Sequence, residues 1–155
     1  VNGTRYLAVI PYQEDPESLQ EDAELILMRI GTDDEGEYMD IVDDDEELIT
    51  VGKVFEERRN YLVERMNQID GVSCLKPDGA FYVMMNLEKL IGRTLGGRVI
   101  HNADDFAMAF LEKGLVAVVS CCAFDAPNFV RWTYATSLET IKEGLDRLEK
   151  FLKEG

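Results

Sequence analysis

The stretch NFVRWTYATS, Asn128 to Ser137, sets a single cation inside a run that otherwise has the composition of a buried strand. Phe129, Val130, Trp132 and Tyr134 are the β-branched and aromatic types that suit a pleated, half-buried surface. An arginine in such company is either a structural cation paired with an acid of its own domain or a group kept for a ligand. Working outward, VAVVS (Val116 to Ser120) reads as a buried strand and CCAFDAP as the loop that connects it to FVRWTYA. On the other side Ser137 can cap a helix in which Ile141, Leu145, Leu148 and Leu152 form one apolar stripe.

Further toward the N-terminus the same alternation of elements continues. ADDFAMAFLEKG predicts a helix opened at Asn102 or Ala103, with Phe106, Phe110 and Leu111 on one side and Gly114 as its stop. Leu87 to Ile100 contains Gly92, Gly96 and Gly97 and reads as a loop with at most a short helix. VSCLK and GAFYVMMNL predict two strands of a hairpin turned at Pro77-Asp78-Gly79, where proline presets φ and glycine is free to take φ > 0. Leu48, Val51, Phe55, Leu62, Met66 and Ile69 recur at helical steps, so one helix is expected from Leu48 to Ile69, with Gly71 as its stop. Asp43 to Asp45 can cap it, since carboxylates accept orphan backbone N–H groups at the positive end of a helix. The first 50 residues predict an antiparallel meander: RYLAVIPY (Arg5 to Tyr12), AELILMRI (Ala23 to Ile30) and EYMDIVD (Glu37 to Asp43), with TDDEGE as the hairpin turn around Gly36. The expected fold class is α+β, a small sheet covered by helices and preceded by an acidic antiparallel β module, with domains at residues 1–50 and 51–155.

Charge divides at the same place. The chain of 155 residues has a net charge of −15, and residues 1–50 carry 16 acids and two bases whereas the remainder carries 15 acids and 14 bases. Such asymmetry suggests segments of different origin. A strongly acidic chain lacks the basic face that nucleic acid or an anionic membrane requires. No apolar run approaches the roughly 20 residues of a bilayer span, no secretory signal is visible, and a first residue of Val reads as a processed or excised piece. Three cysteines, Cys74 and the adjacent pair Cys121 and Cys122, suit neither a disulfide framework nor a zinc site, and reduced thiols in the cytoplasm are the expectation.

The most specific motifs are PDGAFY (Pro77 to Tyr82) and RWTYATS (Arg131 to Ser137), in the order VFEERRNYLVERMN, GVSCLKPDGAFYVMMNL, GLVAVVSCCAFDAPNFVRWTYATS, LETIKEGLDRLEKF. From about Val54 to the C-terminus this order resembles the C-terminal small domain of PLP-dependent class I aminotransferases, and within them the aspartate aminotransferase branch. The resemblance implies that Arg131 grips the α-carboxylate of an amino acid or 2-oxo acid substrate. A planar guanidinium can donate two parallel hydrogen bonds to a carboxylate, a fork that lysine lacks. It implies PLP as the parent family's cofactor, whose ring accepts electrons while a lysine holds it and an aspartate protonates its pyridine nitrogen. Those groups belong to the family's large domain, and residues 1–50 stand in its place without resembling it. The N-terminal segment resembles, more weakly, a family of small acidic bacterial domains of unknown function.

The reading is therefore a partial or chimeric aminotransferase. It retains a substrate-binding arginine, has no catalytic, cofactor-binding or metal-binding residue of its own, binds no cofactor by itself and is inactive alone. The alternative is a non-enzymatic interaction module that self-associates through surface left by the missing large domain. Two departures stand in the loop before Arg131: Ser120-Cys121-Cys122 replaces the family's Pro-Gly and small residue, and Asp125 replaces its usual glycine. Lesser signals carry plainer readings. Cys121 and Cys122 have no basic sequence neighbour to depress a thiol pKa and read as packed or exposed thiols. His101 has no evident nucleophile and reads as a loop residue. Asp43 to Glu47 lacks EF-hand spacing, Gly96-Gly97-Arg98 lacks the Lys-Ser/Thr of a P-loop, and Asn2-Gly3-Thr4 is a glycosylation sequon that a cytoplasmic chain would not use.

Overall fold

The computed structural model describes residues 5–9, 26–33, 36–41 and 45–154, and the chain divides into two compact units, Val1–Val54 and Phe55–Gly155. In the first, β1 (Arg5–Val9), β2 (Ile26–Asp33) and β3 (Gly36–Ile41) form an antiparallel sheet in the order β1-β2-β3. The meander is as expected, but Gly36 is a strand residue that pairs with Asp33. The expected loop at Glu14 to Asp22, the cap at Asp43 and Asp44 and the sequon at Asn2 to Thr4 lie outside the described residues.

Helix α1 (Asp45–Met66) follows, and its part from Phe55 onward belongs to the second unit. That unit has a four-stranded antiparallel sheet in the order β4-β5-β9-β8, built from β4 (Ser73–Cys74), β5 (Tyr82–Asn86), β8 (Val119–Ser120) and β9 (Phe129–Thr133). Alternate residues of the two central strands face a buried core: Val83 and Met85 from β5, Val130 and Trp132 from β9. Against that face pack Leu62 and Met66 of α1, Phe106 of α2 (Ala103–Ala109), and Ile141, Leu145 and Leu148 of α3 (Leu138–Lys153). Period-2 burial in the strands and three- and four-residue burial in the helices thus close one apolar layer. Tyr82, Met84, Phe129 and Arg131 point to the opposite, more open face, where they are half-buried.

Several expectations need correction. The helical stripe ends at Met66, and Ile69 is buried from a turn that runs on to Gly71, whose φ of 96° is the left-handed stop. The Pro77-Asp78-Gly79 turn is not tight: only Ser73 and Cys74 pair with Asn86 and Met85, leaving 75–81 as a wide loop, and the left-handed residue is Ala80 (φ 67°), not Gly79. Asn67 helps cause this, because its side-chain amide donates to the Cys74 carbonyl (3.0 Å) and accepts from the Cys74 N–H (2.9 Å), so it acts as a substitute strand at the outer edge of β4. In the run from Leu87 to Ile100 the short helix is present as a 3₁₀ turn, Glu88–Leu90, but the glycines after it belong to an ordered hairpin of β6 (Thr94–Leu95) and β7 (Arg98–Val99). Gly96 (φ 58°) and Gly97 (φ 83°) form its two-residue turn, the conformation that demands positive φ at both central positions.

At the end of α2 the chain widens into a single π-helical turn, Phe110–Gly114, and the left-handed residue after it is Leu115 (φ 55°) rather than Gly114. Asn102 caps α2 by accepting from the N–H groups of Asp104 (3.0 Å) and Asp105 (3.1 Å). Ser137 caps α3 by accepting from the Thr140 N–H (3.1 Å). Between α1 and α3, Arg65 pairs with Glu149, which also accepts from Lys153 (2.6 Å). These donors, Lys153 first and then Arg65, hold the Glu149 carboxyl down at about 2. A carboxylate with a depressed folded pKa stabilises at pH values above its ordinary range and loses that contribution as pH falls toward 2. Glu149→Gln is accordingly expected to flatten the acid limb of the stability curve between pH 4.5 and 2, measured by chemical denaturation of wild type and variant across that range.

Candidate functional site

Arg131 occupies the middle of β9, with Met84 of β5 and Val119 of β8 as its cross-strand neighbours on the open face. Its guanidinium lies over two rings, 5.4 Å from the centroid of Tyr82 and 4.6 Å from that of Phe124. Such placement over π faces favours a cation by about 0.5–2 kcal/mol. No acid lies within ion-pair distance of Arg131 among the described residues. Its Nε is buried and makes no hydrogen bond. A buried donor left without a partner costs about 1–3 kcal/mol. Of the two readings of this arginine, pairing with an acid of the same domain is thus not seen among the described residues. The two rings hold the cation, and among the described residues no side-chain hydrogen bond competes for it.

Each ring is delivered by a loop containing a non-glycine residue in the left-handed region. Ala80 (φ 67°) precedes Phe81 and Tyr82, and Asp125 (φ 55°) follows Phe124. The first loop is fastened to the end of β9: the Tyr134 hydroxyl donates to the Ala80 carbonyl at 2.6 Å, and the Phe81 carbonyl accepts from the Tyr134 N–H (2.9 Å) and the Thr133 hydroxyl (3.0 Å). The second is a 3₁₀ turn, Cys122–Phe124, closed by Phe124 and Ala126 N–H groups donating to the Cys121 carbonyl at 2.9 and 3.2 Å. Left-handed alanine costs about 1–2 kcal/mol, and strain of this kind collects where geometry is fixed for function. Ala80→Gly is therefore expected to raise stability by about 0.5–1 kcal/mol, the relieved strain being partly offset by the greater chain entropy of glycine. Thermal denaturation of the two proteins checks it; a lower melting temperature for the variant contradicts it.

The remaining residues singled out in the sequence are dispersed. Cys121 is 1 % exposed, its Sγ 3.7 Å from the Met84 sulfur. Burial pushes its thiol pKa up against the weaker opposing pull of Arg131, so it packs beneath the arginine as an un-ionised thiol. Cys122 lies on the other side of the strand end, half-buried against the core, with Sγ 3.9 Å from the Pro127 carbonyl. Burial likewise lifts Cys74 to about 11. His101 is exposed at the entrance of α2, where its backbone N–H donates to Asp105 (3.0 Å). Gly96 and Gly97 turn a hairpin, and no cluster of three or more histidine, cysteine, aspartate or glutamate side chains suited to a metal occurs among the described residues. Tyr82 and Phe124 were not singled out by sequence reasoning. Tyr82 was findable, since cross-strand pairing of two alternating strands puts it on Arg131's face; Phe124 sits in an irregular loop and gave no signal.

Comparison with known proteins shows the family. The model of the family described as aminotransferase class I and II matches residues 38–148, and that of a family of unknown function (DUF1292) matches residues 1–60. An aspartate/prephenate aminotransferase of Cereibacter sphaeroides is 42% identical over 106 residues, which cover 67% of this chain and 26% of that protein. Among solved structures, the aspartate aminotransferase of Rhizobium meliloti superposes with a TM-score of 0.68 at 34% identity, covering 72% of this chain and 28% of the other. The alanine aminotransferase of Pyrococcus furiosus gives 0.64 at 30%, covering 74% and 28%. The chain spans about a quarter of the length of the curated relatives it matches. By the extent of the family match, the chain belongs to the class I and II aminotransferases.

Proposed function

We propose that residues 51–155 are the C-terminal small domain of an aspartate aminotransferase-like enzyme, preceded by a separate acidic module at 1–50, and that Arg131 is its carboxylate clamp. The single observation that carries the clamp is the guanidinium held against Tyr82 and Phe124 with no acid of the described residues within ion-pair distance. An α-carboxylate, planar and anionic, supplies the acceptors that this fork lacks, at the geometry of paired N–H···O bonds.

Family membership implies PLP as cofactor and amino acids with 2-oxo acids as substrates in the parent enzymes. PLP supplies an electron sink for the substrate's α-carbon when bound. The residues around Arg131 do not fit that cofactor by themselves. It needs a lysine amine shielded from water, an acid for its pyridine nitrogen and a phosphate cradle, yet the described part of the chain buries no charged side chain, and Tyr82, Met84, Asn86 and Phe129 bring neither amine nor carboxylate. No catalytic step is therefore assigned to this chain, which is a partial or chimeric aminotransferase that binds a carboxylate and does not transaminate alone. The decisive experiment has two arms. Propionate binding to the 155-residue chain is expected to weaken at least tenfold in Arg131→Gln, and incubation with PLP and borohydride is expected to fix no stoichiometric lysine adduct. Amino transfer from aspartate to 2-oxoglutarate by the chain alone would overturn the second part.

A second reading, self-association, is favoured by one observation: Val119 (51 % exposed), Phe124 (61 %) and Leu75 (89 %) all lie along the open sheet face. Clustered exposed apolar side chains commonly mark an interface. Sedimentation over a wide concentration range separates the two, and a strict monomer at the highest concentration removes this one.

A further inference from the structure

Next to Arg131 the open face continues into a groove of ≈ 600 Å³, walled by β4, β5 and the 75–81 loop. This is the size of a small-molecule site. Arg131 adjoins this groove without lining it, through its neighbours Met84 and Tyr82. Met84 is the cross-strand partner of Arg131, and Phe129 is two residues away on the same strand and face, so both start about 5–7 Å from it. Tyr82 does double duty, since its ring stacks on the guanidinium and its side chain also lines the groove. Leu75 and Pro77 form the far rim. No charged side chain lines this groove among the described residues, and the Asn86 side-chain oxygen is already committed to the Glu88 N–H at 2.8 Å.

We propose that this face binds amphipathic monocarboxylates: the carboxylate on Arg131 and a flat apolar tail, about one aromatic ring in size, in the groove over Met84 and Phe129. The inference rests on the clamp reading of Arg131 and adds the class of ligand. Three features carry it. The cation, held against two rings with no acid of the described residues beside it, fixes one end as an anion. The thioether of Met84 and the rings of Tyr82 and Phe129 offer the polarisable, apolar contacts that a flat hydrocarbon prefers. The groove also has no cation for a second carboxylate, whose far end would be met only by neutral donors such as the Ser73 hydroxyl and the Asn86 amide. The preference is therefore opposite to that expected from the aspartate in the names of the similar enzymes.

The test uses the full 155-residue chain and calorimetric titration with 3-phenylpropionate, propionate, succinate and 3-phenylpropanamide. Phenylpropionate is expected to bind at least tenfold more tightly than propionate, succinate and the uncharged amide. Arg131→Gln is expected to abolish the advantage of the acid over the amide. Leu75 is 89 % exposed, so Leu75→Asp leaves the core untouched; it is expected to weaken phenylpropionate at least fivefold and leave propionate unchanged. Equal affinities for propionate and phenylpropionate, both lost in Arg131→Gln, would overturn the groove and leave the clamp standing. Amide bound as tightly as acid, or no carboxylate binding at all, would overturn both.

Discussion

Replacing Phe110 with alanine is expected to destabilise the unit from Phe55 onward by about 3–5 kcal/mol, the range for removing a fully buried aromatic ring. Phe110 is completely buried, and its ring centroid lies 5.2 Å from Phe151, 5.5 Å from Phe106 and 5.9 Å from Trp132. It therefore joins α2, α3 and the core face of β9 in one aromatic cluster, and the void left by its removal would open at the junction of all three. Domains are stable by only about 5–15 kcal/mol, so the variant should sit near the edge of folding at ambient temperature. The π-helical turn explains why the ring can be there. A Cβ on Gly114 would stand 2.3 Å from the Phe110 ring, a collision with the side chain four residues back. Gly114→Ala alone is accordingly expected to cost about 1–3 kcal/mol by overpacking and much less in the Phe110→Ala background, the signature of two residues sharing one space. Trp132 is the chain's single tryptophan and borders the ring, so its fluorescence during denaturant unfolding reports this unit alone. A loss below about 1 kcal/mol for Phe110→Ala, outside the range for such a ring, would remove the cluster from its central role.

What the sequence disclosed and what it withheld follow from the range of the forces involved. The last helix was legible because its determinants are local: Ser137 caps Thr140, and Ile141, Leu145, Leu148 and Leu152 fall on one side without reference to anything distant. The loop at 75–81 was misread because the local turn signal of Pro77-Asp78-Gly79 competes with partners more than fifty residues away. Tyr134 and Thr133 hold the carbonyls of Ala80 and Phe81, which pulls the turn open and moves the left-handed position onto Ala80. The glycine-rich hairpin lacked alternation, yet its Gly96-Gly97 pair was itself a two-residue turn signal. Arg131 was legible through its motif and through the oddity of a cation among aromatic neighbours. Its bracket was only half legible, because Phe124 reaches the arginine from an irregular turn whose direction is set by Asp125 and the Cys121 carbonyl.

That bracket sets the second large effect, which is on binding. Replacing both Tyr82 and Phe124 with leucine is expected to weaken the carboxylate binding proposed for Arg131 by about 10- to 100-fold, since two cation–π contacts of about 0.5–2 kcal/mol each then cease to hold the guanidinium. Leucine keeps most of the apolar area, so the loss is of orientation and π attraction rather than of burial. An arginine freed from its rings must spend rotamer entropy to present its fork, and each immobilised side chain costs about 0.5–1.5 kcal/mol on binding. Phe124 is 61 % exposed, so its replacement leaves the core intact, and Trp132, on the opposite face, reports folding independently. The single variants divide the effect: Phe124, whose ring is nearer the guanidinium at 4.6 Å, is expected to contribute at least as much as Tyr82 at 5.4 Å. Propionate titrations of the four proteins, wild type, each single and the double, measure it. Unchanged affinity in the double variant, with Trp132 fluorescence showing the native fold, would mean that the rings merely cover the arginine. A loss restricted to the double variant would mean that either ring alone suffices to aim it.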